Sequence, residues 1–114
     1  MLKNDISGST IRTGTIYIGD VGRTEGELEV TGEIEKATAL AINNKVSEIG
    51  ITIADGGIIP LMFFSVKDTG ENMHKPDISV VILKNQTSTH AIIQINKSST
   101  DATNITLNIL VVKP

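Results

Sequence analysis

A chain of 114 residues with 10 basic and 13 acidic side chains, hence a formal charge of −3, is one domain. At that size it buries about two-thirds of its unfolded surface without help from a metal or a disulfide. It has no cysteine, which excludes disulfides, thiolate zinc sites and cysteine nucleophiles together, and its acidic balance with three aromatics argues against nucleic-acid binding.

The N-terminus, Met1-Leu2-Lys3-Asn4-Asp5, has no apolar stretch behind it, so no secretory signal is expected there. Residues 1–14 are rich in Gly, Ser and Thr and are expected to form an extended arm that lies on a neighbour. The first strand is expected at Thr15-Ile16-Tyr17-Ile18, closed by the turn Gly19-Asp20-Val21-Gly22. From Glu25 to Glu35 the pattern alternates: Leu28, Val30 and Ile34 share one face, and Glu25, Glu27, Glu29, Glu33 and Glu35 share the other. The segment 34–42 fits either a short helix or a strand. Ile49, Ile51 and Ile53 resume alternation up to Asp55-Gly56-Gly57. Pro60 has no N–H for a ladder and is expected at a strand start or on an edge, with the strand continuing to Val66. A polar loop, Lys67 to Pro76, leads to three more strands, Ile78 to Leu83, Ala91 to Ile95 and Ile105 to Val112, joined by up-and-down hairpins. The longest apolar run, Ile58 to Phe64, is too short to span a bilayer and contains a proline, so no membrane insertion is expected.

With 18 Ile, 13 Thr and 8 Val, a third of the chain is β-branched and suits a pleated surface. The expected fold is all-β, a small antiparallel β-sandwich of about seven or eight strands with an extended N-terminal arm. The arm covers residues 1–14 and the sandwich residues 15–114.

Val80-Val81-Ile82-Leu83 and Ile109-Leu110-Val111-Val112 are apolar on both faces, although a two-layer sandwich buries only one. A homo-oligomer, a trimer foremost, supplies the missing cover by symmetry; a monomer with the extra residues under loops is the alternative. The arm is expected to add a strand to a neighbouring sheet over residues 5–18, with Ile6, Ile11, Ile16 and Ile18 as its interface residues.

No catalytic constellation stands out, and no enzymatic activity, cofactor or metal is expected. His74 and His90 stand apart without ligand spacing. Asp20, Asp55, Asp68, Asp77 and Asp101 fall in turns, where they cap backbone N–H groups; gathered at one end of a sandwich they are also suited to Ca²⁺. The glutamate row is read as a solvated strand face that guards an edge, with a basic partner as the other reading. No serine has a G-x-S-x-G setting, and no phosphate loop precedes a helix. Three N-glycosylation triplets, beginning at Asn85, Asn96 and Asn104, are chance matches in a chain this rich in Asn, Ser and Thr.

The stretch Ile51-Thr52-Ile53-Ala54-Asp55-Gly56-Gly57-Ile58-Ile59-Pro60-Leu61-Met62-Phe63-Phe64-Ser65-Val66 resembles small β-sandwich domains of bacteriophage tail fibres and related virion proteins. In those domains an alternating strand enters a glycine turn, often after a histidine, and a proline opens the next strand. Asp55 stands in that histidine's place. The later strands follow in the same order, so the resemblance covers roughly residues 49–114. It implies a virion structural protein, made in the host cytoplasm, that serves as a tail-fibre or tail-tip module or as a capsid decoration. Its implied partners are other virion proteins and, through loop residues Asp68, Glu71, His74, Asn85 and Thr87, a host-surface glycan. A free carbohydrate-binding or adhesin module is the alternative.

Overall fold

A computed structural model describes residues 10–54, 57–68 and 78–113, and these form an all-β domain. Eight strands follow in chain order: β1 (Thr10–Gly19), β2 (Gly26–Gly32), β3 (Ile34–Asn43), β4 (Val46–Ile53), β5 (Leu61–Asp68), β6 (Ile78–Gln86), β7 (His90–Lys97) and β8 (Ile105–Lys113). Ile6, Asp55, Glu71, His74 and Asp77 lie outside the described residues.

All pairings are antiparallel, in the order β5-β8-β1-β2-β3-β4-β7-β6. The two halves of this sheet share one strand. Gly26 to Leu28 of β2 pair with Ala39 to Ala37 of β3, whereas Glu29 to Gly32 pair with Tyr17 to Gly14 of β1. β2 thus passes from one half to the other, a sandwich corner made by a strand that changes sheets. Gly32 makes the close approach possible. Its φ of +65° is left-handed, and a Cβ there would lie 2.2 Å from the Thr13 carbonyl oxygen.

Inward-facing residues of both halves meet in one core. β1 supplies Ile16 and Ile18, β4 supplies Ile49, Ile51 and Ile53, β7 supplies Ile93 and Ile95, and β8 supplies Ile105, Leu107, Ile109 and Val111. Each buried Ile or Leu contributes about 1.5–3 kcal/mol, so this period-2 pattern dominates stability. Leu28 of β2 and Ala37 and Ala39 of β3 close the core beside the corner.

The structure decides one open reading and corrects three expectations. Segment 34–42 is strand, because its apolar residues continue a ladder with β4 from Ile34↔Ile53 to Asn43↔Val46. The Glu25–Glu35 alternation is no single strand: the chain reverses at Glu33 after Gly32. The first strand begins at Thr10, where the Thr10↔Lys113 pair starts a ladder with β8 that runs through Gly14↔Ile109. Finally, a hairpin joins β6 to β7, but β8 does not pair with β7; it crosses to lie between β5 and β1. Pro60 directly precedes β5, an edge strand. The other edge is β6, and the Gln86 amide nitrogen at its end donates 2.6 Å to the Pro60 carbonyl.

Candidate functional surface

The outward face of β5, β8, β1 and the end of β2 carries side chains in rows set by the register. Leu61, Val112 and Ile11 lie side by side, followed by Phe63, Leu110 and Thr13, and then by Ser65, Asn108 and Thr15. The fourth row is Lys67, Thr106 and Tyr17, extended by Glu29 on β2. Strand alternation decides this: the neighbours Ile16, Ile18, Leu107, Ile109 and Val111 point into the core, so their odd or even counterparts must face outward. Leu61, Phe63 and Ile11 are 57%, 56% and 58% exposed, and Leu110 and Tyr17 are exposed as well. Ile58 and Ile59, also exposed, extend the apolar surface just ahead of β5. An open groove of about 460 Å³ runs between Phe63 and Ser65, Leu110 and Asn108, and Thr13 and Thr15. It offers apolar groups, hydroxyls and one amide, and no titratable side chain lines it.

The opposite half also exposes Leu40, Ile42, Ile82 and Leu83, but its surface is interrupted. The register row Leu40, Glu48, Gln94, Ile82 places polar residues between the apolar ones, and Lys84 pairs with Glu48 at 3.8 Å.

One end of the sandwich is a polar staple. The Lys97 side chain is fully buried, and its ammonium donates to Asp20 Oδ1 at 3.1 Å and to the Asp101 carbonyl at 2.8 Å. The Thr103 N–H donates to the same Asp20 oxygen, the Thr103 hydroxyl donates to the Gly19 carbonyl, and the Val21 N–H donates to Thr103 Oγ1. Arg23 binds the other Asp20 oxygen and the Thr100 carbonyl. The Gly22 N–H donates 2.7 Å to the buried Ser47 hydroxyl, which ties in the β3–β4 turn. Burial by itself pushes the Asp20 carboxyl up, but the Thr103 N–H, the Arg23 and Lys97 donors and the Lys97 charge outweigh it and hold the group below its ordinary 3.8. Of the aspartates considered above for Ca²⁺, Asp20 meets the Lys97 ammonium with its carboxylate and Asp101 with its backbone carbonyl, so a side chain carries the cation at this end. Among the described residues no three His, Asp or Glu gather as a metal site, and no helix is long and apolar enough to cross a membrane.

The structure separates the residues expected at an arm interface. Ile16 and Ile18 are core residues, because β1 is flanked by β8 and β2 and its inner face packs inside its own subunit. Ile11 faces outward in the apolar rows. Asn85 and Thr87 sit at the β6–β7 hairpin with their polar atoms engaged locally: Asn85 Oδ1 accepts from the Gln86 N–H, and Thr87 Oγ1 accepts from the Thr89 and His90 N–H groups. Asp68 ends β5, in register with Ile105. The outward Leu61, Phe63 and Leu110 were not among the expected site residues. Their signal lay in the doubly apolar run Ile109 to Val112, which pointed to uncovered surface without saying which strands share it. Nothing in the polar sequence around Lys97 announces a buried ammonium.

No protein-family model and no curated protein matches the sequence. Solved structures do match in fold. An R1 pyocin fibre of P. aeruginosa, comprising C-terminal residues 323–701, aligns with a TM-score of 0.61 at 13% identity over 96% of this chain. This chain spans 24% of that one. An N-truncated R1-type pyocin tail fibre aligns with a TM-score of 0.62 at 12% identity, covering 96% of this chain and 75% of that one. The envelope protein VP37 of White Spot Syndrome Virus aligns with a TM-score of 0.52 at 14% identity, covering 93% and 98%. The fold is therefore related to that of a tail-fibre domain. The likeness takes in nearly the whole chain, where the sequence resemblance covered only its second part.

Proposed function

We propose that the protein is a non-enzymatic structural subunit of a bacteriophage virion that works as a homo-oligomer through its surfaces. The observation that carries this reading is the outward face of β5, β8 and β1, where Leu61, Phe63, Leu110 and Ile11 stand uncovered in adjacent rows. Soluble monomers rarely expose contiguous apolar surface on that scale without using it. The fold likeness to a pyocin tail fibre and a viral envelope protein supports the virion assignment. The non-enzymatic part rests on the groove lining, which offers hydroxyls, an amide and apolar groups but no acid, base or cation.

Within the virion, the protein is a tail-fibre or tail-tip module or a capsid decoration. Mass spectrometry and immunogold labelling of purified particles test the proposal and divide its branches. Label at the tail supports the fibre branch, label spread over the head supports decoration, and absence of the chain from particles refutes both.

A further inference from the structure

We infer that the outward face of β5, β8, β1 and β2 is where copies of this chain meet, about a rotation axis parallel to the strands. This rests on the assembly part of the function proposed above and names its surface and geometry.

The area is sufficient. The exposed parts of Ile11, Tyr17, Leu61, Phe63 and Leu110 come to roughly 500 Å², as large as the largest patch on an ordinary monomer. The exposed Thr13, Ser65, Asn108, Lys67 and Glu29 in the same rows add to this and bring the face toward the ~800 Å² per partner of a standard interface.

Charge then selects both the partner and the axis. In the four rows the charged residues are Lys67 on β5, at one flank, and Glu29 on β2, at the other, and they stand in the same row. Neither makes an ion pair among the described residues. Rotation about an axis parallel to the strands keeps every row at its own height. The β5 flank of one copy then meets the β2 flank of the next with Lys67 level with Glu29. The rows Leu61, Val112, Ile11 and Phe63, Leu110, Thr13 meet their own equivalents, so apolar layers stack on apolar layers. A two-fold axis lying across the strands would instead set Lys67 against Leu61 and carry it away from Glu29, leaving a charge against leucine without a partner. The face is thus complementary to a second copy of itself in one orientation, and desolvation of Lys67 disfavours the other.

Sedimentation equilibrium on the whole chain tests this. The wild type is expected at a small multiple of 12.2 kDa. Phe63→Lys and Leu110→Asp are expected to give the single-chain mass with the far-ultraviolet circular dichroism of β-sheet retained. Lys67→Glu and Glu29→Lys should each weaken association by at least about threefold, and the two together should restore it to within about twofold of wild type. The charge swap lies on the surface and decides the matter even where an apolar-to-charged variant fails to fold. A double variant that fails to recover, or a Phe63→Lys protein that folds and stays assembled, overturns this face and leaves assembly itself standing. A wild type that sediments as a 12.2 kDa monomer at millimolar concentration overturns both.

Discussion

Replacing Asp20 by Ala removes the one carboxylate among the described residues that faces the buried Lys97 ammonium. The Lys97 side chain has no solvent exposure, and its remaining partner is the neutral Asp101 carbonyl at 2.8 Å. The Thr103 N–H, which donates 3.1 Å to Asp20 Oδ1, is orphaned at the same time. Stranding a buried charge costs about 3–5 kcal/mol, and the overlapping loss of the amide partner keeps the total near 4 kcal/mol. For a domain of this size that lowers the melting midpoint by roughly 15–20 °C. Lys97→Met leaves no buried charge behind, since Asp20 keeps Thr103 and the half-exposed Arg23, so it should cost only about 1 kcal/mol. The double variant Asp20→Ala with Lys97→Met should be more stable than Asp20→Ala alone. Guanidinium titration and calorimetry on all four proteins measure the cycle. An Asp20→Ala protein within about 1 kcal/mol of wild type, or a double variant no better than it, refutes the charge argument.

Acid should act through the same group. The native Asp20 carboxyl titrates below its ordinary 3.8, so an unfolded chain binds a proton at pH values where the native one does not. Its contribution is fully present above that ordinary value and disappears as pH falls through it toward the lower native one; stability curves from pH 6 to 2 should be flatter in Asp20→Asn. Gly32→Ala should cost about 2–4 kcal/mol by urea titration, because left-handed strain adds to a 2.2 Å clash with the Thr13 carbonyl. Gly26→Ala, at a φ of +97° with no atom within 4 Å of a new Cβ, should cost only about 1–2 kcal/mol from strain. Ile93→Ala, at a fully buried position, should cost about 2–5 kcal/mol in the same assay.

Alternation made much of the fold readable in advance. Ile49, Ile51 and Ile53, and Ile105, Leu107, Ile109 and Val111, carry their inward faces in their spacing, because strand side chains alternate whatever lies beyond them. The Glu25–Glu35 segment shows the limit of that logic. Its alternation continues through Gly32 and Glu33, where the backbone reverses, and a pattern of side chains carries no record of a positive φ at a glycine. The candidate surface was half legible. Ile109 to Val112 announced apolar surface on both sides of one strand, but Phe63 joins Leu110, 47 residues away, only through the β5–β8 ladder.

Strand content, the inward positions and the surplus of apolar faces follow from local chemistry, since side-chain type and spacing act within a few residues. Neighbourhood does not. That β8 lies between β5 and β1, that β1 is central and its Ile16 and Ile18 therefore belong to the core, and that Lys97 is buried against Asp20 all depend on contacts between distant segments. Such contacts are selected by the joint burial of many side chains at once, a property of the folded chain as a whole and of no single stretch of it.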